Sequence, residues 1–455
     1  MLRNLLFTKT LMIVLLSLLL LIPLSMIQSK ITERQALQQG VQQEIARSAS
    51  GPQTLSGPYL VLRYKLLQRH TVKDATGLEK TVTNSITKER LIAAHELIID
   101  ANADVESRKR GIYQVRLFNF TGTVKGSFDV AEGYGADSAL ADMTPVAAYF
   151  VLTVSDARGI RNAPQLTLNK RQFNFAPGVV RPLSGNGIHA ALEPLSLDSA
   201  HKLSFEFPLE LQGMSTFAVT PSGDKTELKL NSSWPHPSFG GSYLPRSSQI
   251  NADGFRAQWL VTNLARNSGS QGENGDKIIT DCFSINFIDP VNIYLLSERA
   301  VKYGLLFIVL LFAGFFMFEM VRHLRIHPMQ YLLVGMAQAM FFLLIISLSE
   351  HIPFLSAYAI SATACTALIG IYLAGVLHSY KPAIAFSSAI ALLYAVLYGV
   401  LQSEDNALLM GTTVLFSALA ATMLVSRKLD WYSFTGSEEE AQANLEEQVL
   451  EGKSK

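Results

Sequence analysis

Cysteine is nearly absent from this chain of 455 residues: only Cys282 and Cys365 occur, the second inside an apolar run. A disulfide framework is therefore excluded. Charge is scarce too, at 16% of residues against about 25% in an ordinary soluble domain. The 38 basic and 37 acidic residues nearly cancel, to a net +1, so there is no basic footprint for nucleic acid. Short catalytic motifs are missing as well. The chain has no Walker A sequence, no H-E-x-x-H, no G-x-S-x-G and no C-x-x-C, and no cofactor or metal is implied by spacing. What it has in quantity is apolar residues, 49% of the whole, with a mean hydropathy of +0.23. That excludes intrinsic disorder. The chain reads as a membrane protein.

A helix crossing the hydrocarbon core needs about 20 mostly apolar residues. Six stretches qualify: 10–27, 303–321, 329–348, 354–377, 383–401 and 407–425. Only Glu319 is charged among them, close to the end of its span. The first stretch follows Arg3 and Lys9 as a signal peptide would, but it exceeds the usual h-region, and Leu24-Ser25-Met26 offers no A-x-A-like cleavage site. It reads as an uncleaved signal anchor.

Lys and Arg accumulate in the short cytoplasmic loops of membrane proteins. Arg322, Arg325, Lys381, Arg427 and Lys428 fall in alternate loops, while the intervening ones carry Glu350, Glu404 and Asp405 and no basic residue. Both termini are expected inside, and the long segment after the first span outside.

The expected organisation is a cytoplasmic start and anchor over 1–27, an amphipathic linker helix over 28–50, an external mainly-β domain over 51–300, five transmembrane helices over 301–428 and an acidic cytoplasmic tail over 429–455. In the linker, Ile31, Leu37, Val41 and Ile45 recur near helical spacing. The pairs Gly51-Pro52 and Gly57-Pro58 then mark turns. Beyond them, segments 59–67, 112–130, 148–154, 203–219, 226–230, 255–261 and 283–288 are rich in alternating, β-branched and aromatic residues. This pattern predicts an antiparallel, sandwich-like domain of one or two subdomains. Residues 267–276 have a mobile loop's composition.

Few residues stand out for chemistry. His95-Glu96 begins like a zincin, without the second histidine. His323 and His327 lie four apart, but two ligands do not make a metal site. Glu350-His351 pairs a carboxylate with an imidazole at a span's end, a pattern open to a proton relay, an ion site or an ordinary solvated loop. The string Trp234-Pro235-His236-Pro237-Ser238-Phe239 fixes the backbone around His236. It suits a rigid binding surface, or a sheet corner with its aromatics turned inward. Trp234, His236, Glu350 and His351 are thus the candidate functional positions. In mid-membrane Gln338 is the most polar residue. The last three spans are rich in small residues at four-residue spacing, such as Ala391, Ala395 and Gly399, which lets helices pack closely.

Several strings carry a resemblance. Ser50-Gly51-Pro52-Gln53, Ser155-Asp156-Ala157-Arg158-Gly159-Ile160, the Trp234–Phe239 string and His327-Pro328-Met329-Gln330-Tyr331-Leu332-Leu333-Val334-Gly335 are four of them. Ser349-Glu350-His351, Gly370-Ile371-Tyr372-Leu373 and Asp430-Trp431-Tyr432-Ser433-Phe434 are the others. With the order of anchor, external domain and helical block, the chain resembles the CreD family of bacterial inner-membrane proteins. The resemblance implies an inner-membrane protein of cell-envelope integrity and envelope stress. It also implies links to the CreBC two-component system, to colicin tolerance and, in some bacteria, to β-lactam response. It supplies no catalytic or ligand residues.

The leading expectation is a non-enzymatic protein embedded in the lipid bilayer, whose periplasmic domain engages envelope components. A transporter or channel component with a gating domain is the alternative, disfavoured by the absence of midplane charge. A membrane-bound enzyme acting on lipid or peptidoglycan precursors is the third, disfavoured by the missing nucleophile or metal set.

Overall fold

The computed structural model describes residues 2–73, 79–266, 281–287, 292–321, 326–377, 379–403 and 407–427. The stretch 267–276, the residues Arg322, His323, Arg325, Glu404, Asp405 and Lys428, the string Asp430–Phe434 and the tail lie outside them. The chain divides into two compact units, Met1–Leu37 with Val291–Lys455, and Gln38–Pro290.

The first unit is helical. The chain begins with α1 (Leu2–Leu19) and α2 (Leu21–Ser48), whose residues from Gln38 on belong to the second unit, and its C-terminal part forms α3 (Ile293–Val321), α4 (Pro328–Ser349), α5 (Phe354–Leu377), α6 (Tyr380–Gln402) and α7 (Ala407–Ser426). The interruption after Leu19 has a simple cause: Pro23 has no N–H to offer the carbonyl four residues back. From Leu21 the rest of the apolar run and the linker form one helix, with no break at residue 28. Helix α3 likewise starts ten residues before the expected span, at Ile293 rather than Tyr303. Among the described residues, five helices are long and apolar enough to cross a membrane: Thr8–Ser48, Ile293–Met320, Pro328–Ser349, Phe354–Val376 and Tyr380–Gln402. The stretch expected as a sixth span is shorter. The apolar run of α7, Leu409–Leu424, extends about 24 Å at 1.5 Å per residue, against a hydrocarbon core of about 30 Å.

The second unit is β-rich. In chain order its strands are β1 (Gln53–Lys73), β2 (Glu79–Ala93), β3 (Glu96–Arg110), β4 (Tyr113–Val130), β5 (Met143–Val154), β6 (Gln165–Leu168), β7 (Arg171–Asn174) and β8 (Ala176–Pro177). Then come β9 (Asn186–Leu192), β10 (His201–Met214), β11 (Thr216–Thr220), β12 (Lys225–Ser232), β13 (Pro237–Gly241), β14 (Ser247–Asn251), β15 (Gly254–Thr262) and β16 (Phe283–Phe287). One sheet has the order β13-β16-β11-β1-β5-β9-β8, with β2 also on β1; the other runs β14-β15-β12-β3-β4-β10-β6-β7.

The sheets face each other across one core that draws on both. Rings interlock across it: Trp259 stacks on Phe283 at 5.3 Å, and Phe150 meets Phe207 edge-on at 5.7 Å. Period two is visible in β10, where Leu203, Phe205, Phe207, Leu209 and Leu211 point inward. The expected single strand over 203–219 is two. Ser215 takes a left-handed φ of 61°, and the chain crosses there from one sheet to the other. Gly126, paired with Leu97 and Phe205, must be glycine: a methyl there would overlap the Glu96 carbonyl and sit 2.8 Å from Phe205 Cζ.

Candidate functional site

In the helical unit the polar side chains gather at the helix ends. Glu319 is 3% exposed near the end of α3. Its carboxylate pairs with the Lys9 ammonium of α1. It also accepts the Tyr331 hydroxyl at 2.9 Å and the Ile326 N–H at 3.1 Å. His327 caps α4: its Nδ1 accepts the Met329 N–H at 3.3 Å, while Gln330 Oε1 accepts the His327 N–H at 3.1 Å. Pro328 follows at the first helical position, where its missing donor costs nothing. Gly335 lets α4 approach closely, since a methyl there would overlap Leu20 and sit 2.8 Å from Phe312 Cζ.

At the other end of these helices lies Glu350. Its Oε1 is 3.4 Å from Arg34 Nε and accepts the Tyr294 hydroxyl at 3.2 Å. The carboxylate thus faces α2 and α3, and the adjacent His351 is exposed. The pair does not form an imidazole–carboxylate relay in this arrangement. Between the two polar ends, Gln338 is 1% exposed. Its Oε1 accepts the Tyr394 hydroxyl at 2.8 Å, and its Nε2 has no hydrogen-bond partner among the described residues. The Tyr358 hydroxyl donates to the Tyr394 carbonyl at 2.6 Å. Ser387, on the facing helix, fills the space beside Gly370.

In the β-rich unit, Trp234 is half-buried and the Arg116 guanidinium lies 4.8 Å from its ring. Its Nε1–H donates to the His236 carbonyl at 3.1 Å, and the imidazole, on an exposed residue, stands edge-on 6.0 Å away. Phe239 packs inward on Phe255 and Trp259. The string is a strand-entry corner. His95 faces Asp224 at 3.3 Å, and Glu96 pairs with Lys225 at 2.7 Å. These turns line a cleft of about 130 Å³ together with Arg90, Asp129 and Tyr134. No cluster of three or more His, Cys, Asp or Glu suited to a metal occurs among the described residues.

Two strings widely separated in sequence meet in one clasp. Asp156 Oδ2 accepts the Gly51 N–H at 3.3 Å. The Asp156 carboxylate also holds Arg158, which donates Nε to Oδ1 at 2.9 Å and Nη2 to Oδ2 at 2.6 Å. Arg158 in turn donates to the Ala46 carbonyl at 3.2 Å and to the Arg47 carbonyl. It therefore covers open acceptors at the C-terminus of α2, where a cation also suits the helix dipole. Gln53 Nε2 donates to the Asp156 carbonyl at 2.9 Å, and Ser50 Oγ to the Gln212 carbonyl at 2.6 Å. The bonds from Arg158 hold the Asp156 carboxyl below the usual carboxylate range, against some desolvation. Nothing local in either string signals this joint; the partners are about a hundred residues apart.

The four candidate positions fall in both units, Trp234 and His236 in one, Glu350 and His351 in the other. The strongest polar constellations are those of Glu319 and Asp156. Among solved structures, an M1 zinc metallopeptidase from Deinococcus radiodurans covers 42% of this chain and of its own. Its identity is 6% and its TM-score 0.19, a likeness that carries no argument. Sequence relationships are firmer. This chain is 36% identical to the inner membrane protein CreD of Escherichia coli (strain K12) over 421 residues, 92% of each chain. The family model described as "Inner membrane protein CreD" matches residues 5–432, spanning both units and all five long apolar helices. By that match the chain belongs to the CreD family of inner membrane proteins.

Proposed function

We propose that this chain is a non-catalytic, multi-pass inner-membrane protein that contributes to cell-envelope integrity and the envelope-stress response. In this reading both termini are cytoplasmic, α1 and the start of α2 anchor the chain, and the C-terminal helices form a membrane bundle. The β-rich unit lies in the periplasm and engages envelope components, in functional connection with the CreBC system. The observation that carries the reading is where the strings that carry the resemblance fall. Ser50–Gln53 and Ser155–Ile160 are spent on the Asp156 clasp. His327–Gly335 is spent on a helix cap, the Glu319 bond and close packing. Their polar atoms build joints.

The ion pairs support the placement of the anchor span. Lys9 meets Glu319, and Arg34 meets Glu350. About 37 Å of helix separates Lys9 from Arg34 at 1.5 Å per residue, enough to bracket a hydrocarbon core of about 30 Å. The Lys9 end is also where Arg322 and Arg325 follow Glu319 in sequence, which agrees with basic residues inside. Transport through the helices is the second reading, and the buried Gln338 Nε2, without a hydrogen-bond partner among the described residues, is what favours it.

The test is complementation in cells lacking the chain, read as detergent sensitivity and leakage of a periplasmic enzyme. Full restoration is expected from the intact chain and from His236→Ala, His351→Ala and Gln338→Leu, with partial loss at most for Glu350→Gln. Complete loss in any one of these, at normal level and insertion, overturns the non-catalytic reading. Loss confined to Gln338→Leu favours transport.

A further inference from the structure

The cleft of about 130 Å³ draws its walls from both sheets of the β-rich unit. Arg90 comes from the end of β2 and Asp129 from the end of β4, while His95 and Asp224 lie in the turns before β3 and β12. Ala131 and Tyr134 belong to the turn after β4. Backbone bonds tie these turns together. The Asp224 N–H donates to the Ala94 carbonyl at 2.9 Å, the Lys225 N–H to the His95 carbonyl at 3.1 Å and the His95 N–H to the Ser127 carbonyl at 2.7 Å. On the Tyr134 side the backbone is strained: Gly133, Tyr134 and Gly135 take left-handed φ values of 59°, 57° and 65° in succession. Glycine adopts that region freely, but a tyrosine does so only when its surroundings force it. Here Tyr134 is 3% exposed, and its hydroxyl donates to the Leu195 carbonyl at 2.5 Å. Strain held in place like this clusters where a ligand is clamped.

The lining carries both signs of charge. Arg90 Nη2 donates to the Gly135 carbonyl at 3.3 Å. Asp224 Oδ2 lies 3.3 Å from His95 Nδ1, and Lys202 Nζ lies 3.9 Å from Asp129 Oδ2. Lys225 and Glu96, the neighbours of Asp224 and His95, bind each other at 2.7 Å. Glu132, in the same turn as Tyr134, is exposed and outside the lining. With His95 left out of the count, the cations Arg90 and Lys202 stand against the carboxylates Asp129 and Asp224. A ligand with net charge would upset that balance, and one with no charge would leave the lining unused. Size narrows the class further, since drug-sized sites run to about 300–1,000 Å³.

We propose that this cleft binds a small zwitterion, with an ammonium and a carboxylate on one short carbon chain as in a free amino acid. Arg90 holds the carboxylate, the partner a guanidinium bonds most strongly. Its five N–H donors allow it to bond the Gly135 carbonyl and the ligand at once. Asp129 and Asp224 take the ammonium from the opposite walls. The site adds a ligand to the envelope role and depends on neither orientation nor partner.

The experiment is calorimetric titration of the full chain in phosphatidylcholine nanodiscs with glycine and, separately, with sodium acetate and methylammonium chloride, at constant ionic strength. Acetate and methylammonium each carry one of glycine's two charged groups. Glycine is expected to bind one to one, and each half about tenfold more weakly or worse, the loss of one charge-assisted pair. Arg90→Gln and Asp129→Asn should each weaken glycine by about the same factor. Ala131→Leu, at an exposed position of the lining, should fill the cleft and abolish glycine binding with the thermal transition retained. No saturable glycine binding, or either half binding as tightly as glycine, would overturn the proposal. So would an unchanged glycine affinity in any of the three variants. If a charge variant does not fold, the wild-type ranking of the three ligands and the Ala131→Leu result still decide it.

Discussion

Removing Lys9 should damage the helical unit more than neutralising Glu319, although the two residues share one ion pair. The asymmetry comes from their surroundings: the Glu319 side chain is 3% exposed and the Lys9 side chain 27%. Among the described residues, Lys9→Met leaves the buried carboxylate with the Tyr331 hydroxyl and the Ile326 N–H for company. Breaking a buried pair from one side costs about 3–5 kcal/mol, and the two remaining donors put this case near the low end, about 3 kcal/mol. Glu319→Gln keeps an oxygen for both donors and leaves Lys9 to extend its ammonium toward water along its flexible stem. About 1 kcal/mol is expected, the scale of one modest hydrogen bond. The double variant should then resemble Glu319→Gln alone, because no buried charge remains to be orphaned. The coupling in that cycle is about 3 kcal/mol, far outside additivity. Unfolding free energies in a mixed-micelle titration at neutral pH measure all four species. A Glu319→Gln penalty equal to that of Lys9→Met, or additive penalties within about 0.5 kcal/mol, would refute the reasoning.

Three further outcomes concern the β-rich unit. Asp156→Asn should cost about 1–2 kcal/mol through weakened bonds to Arg158 and Gly51, and amide exchange should rise at residues 41–48 and 156–160 before elsewhere. Because its folded pKa is lowered, wild-type Asp156 stabilises above the unfolded value of about 3.9. That contribution fades as pH falls through the folded value, so Asp156→Asn should flatten the acid limb of stability against pH; an unchanged limb would count against the clasp. Trp234→Ala should cost about 1–2 kcal/mol in thermal unfolding, below the roughly 3–5 kcal/mol of a fully buried indole, because Trp234 is half-buried and leans on Arg116. Cys282 has its thiol pushed up by burial and by Asp281. An impermeant maleimide should therefore label it in spheroplasts slowly at neutral pH and faster in alkali, while Cys365, buried, reacts only after denaturation. Labelling of Cys282 only after the membrane is opened would reverse the proposed orientation.

The apolar helices were legible because runs of about 20 apolar residues are rare except where a chain crosses a bilayer. Their ends were not. The helix α2 continues to Ser48 through polar sequence, and α3 starts at Ile293, since helices are not obliged to stop where hydropathy does. Strands with large inward residues, such as β10 and β15, stood out by alternation. By contrast β2 is built largely of Lys, Thr, Glu and Ser, and β3 points Ala101 and Ala103 inward. Small inward residues make alternation faint, and β2 is held by fifteen residues of pairing with β1. The polar constellations were hidden for another reason. Glu319 was visible as the one charge in the spans, but its partner Lys9 is 310 residues away.

That distance bears on how a membrane protein without a catalytic motif keeps recognisable strings. A buried ion pair is weak evidence of stability, because desolvation offsets much of its attraction. What such a pair does well is penalise the wrong arrangement, in which each charge is left alone. Lys9 with Glu319 and Arg34 with Glu350 therefore set the axial register of the N-terminal helices against α3 and α4. A slip of one turn, about 5.4 Å, would orphan charges at both ends. The Asp156 clasp does the same for the C-terminus of α2, since only its last carbonyls are free to accept from Arg158. Register at three points along one N-terminal segment requires particular residues at particular distances, and that requirement is as restrictive on sequence as an active site.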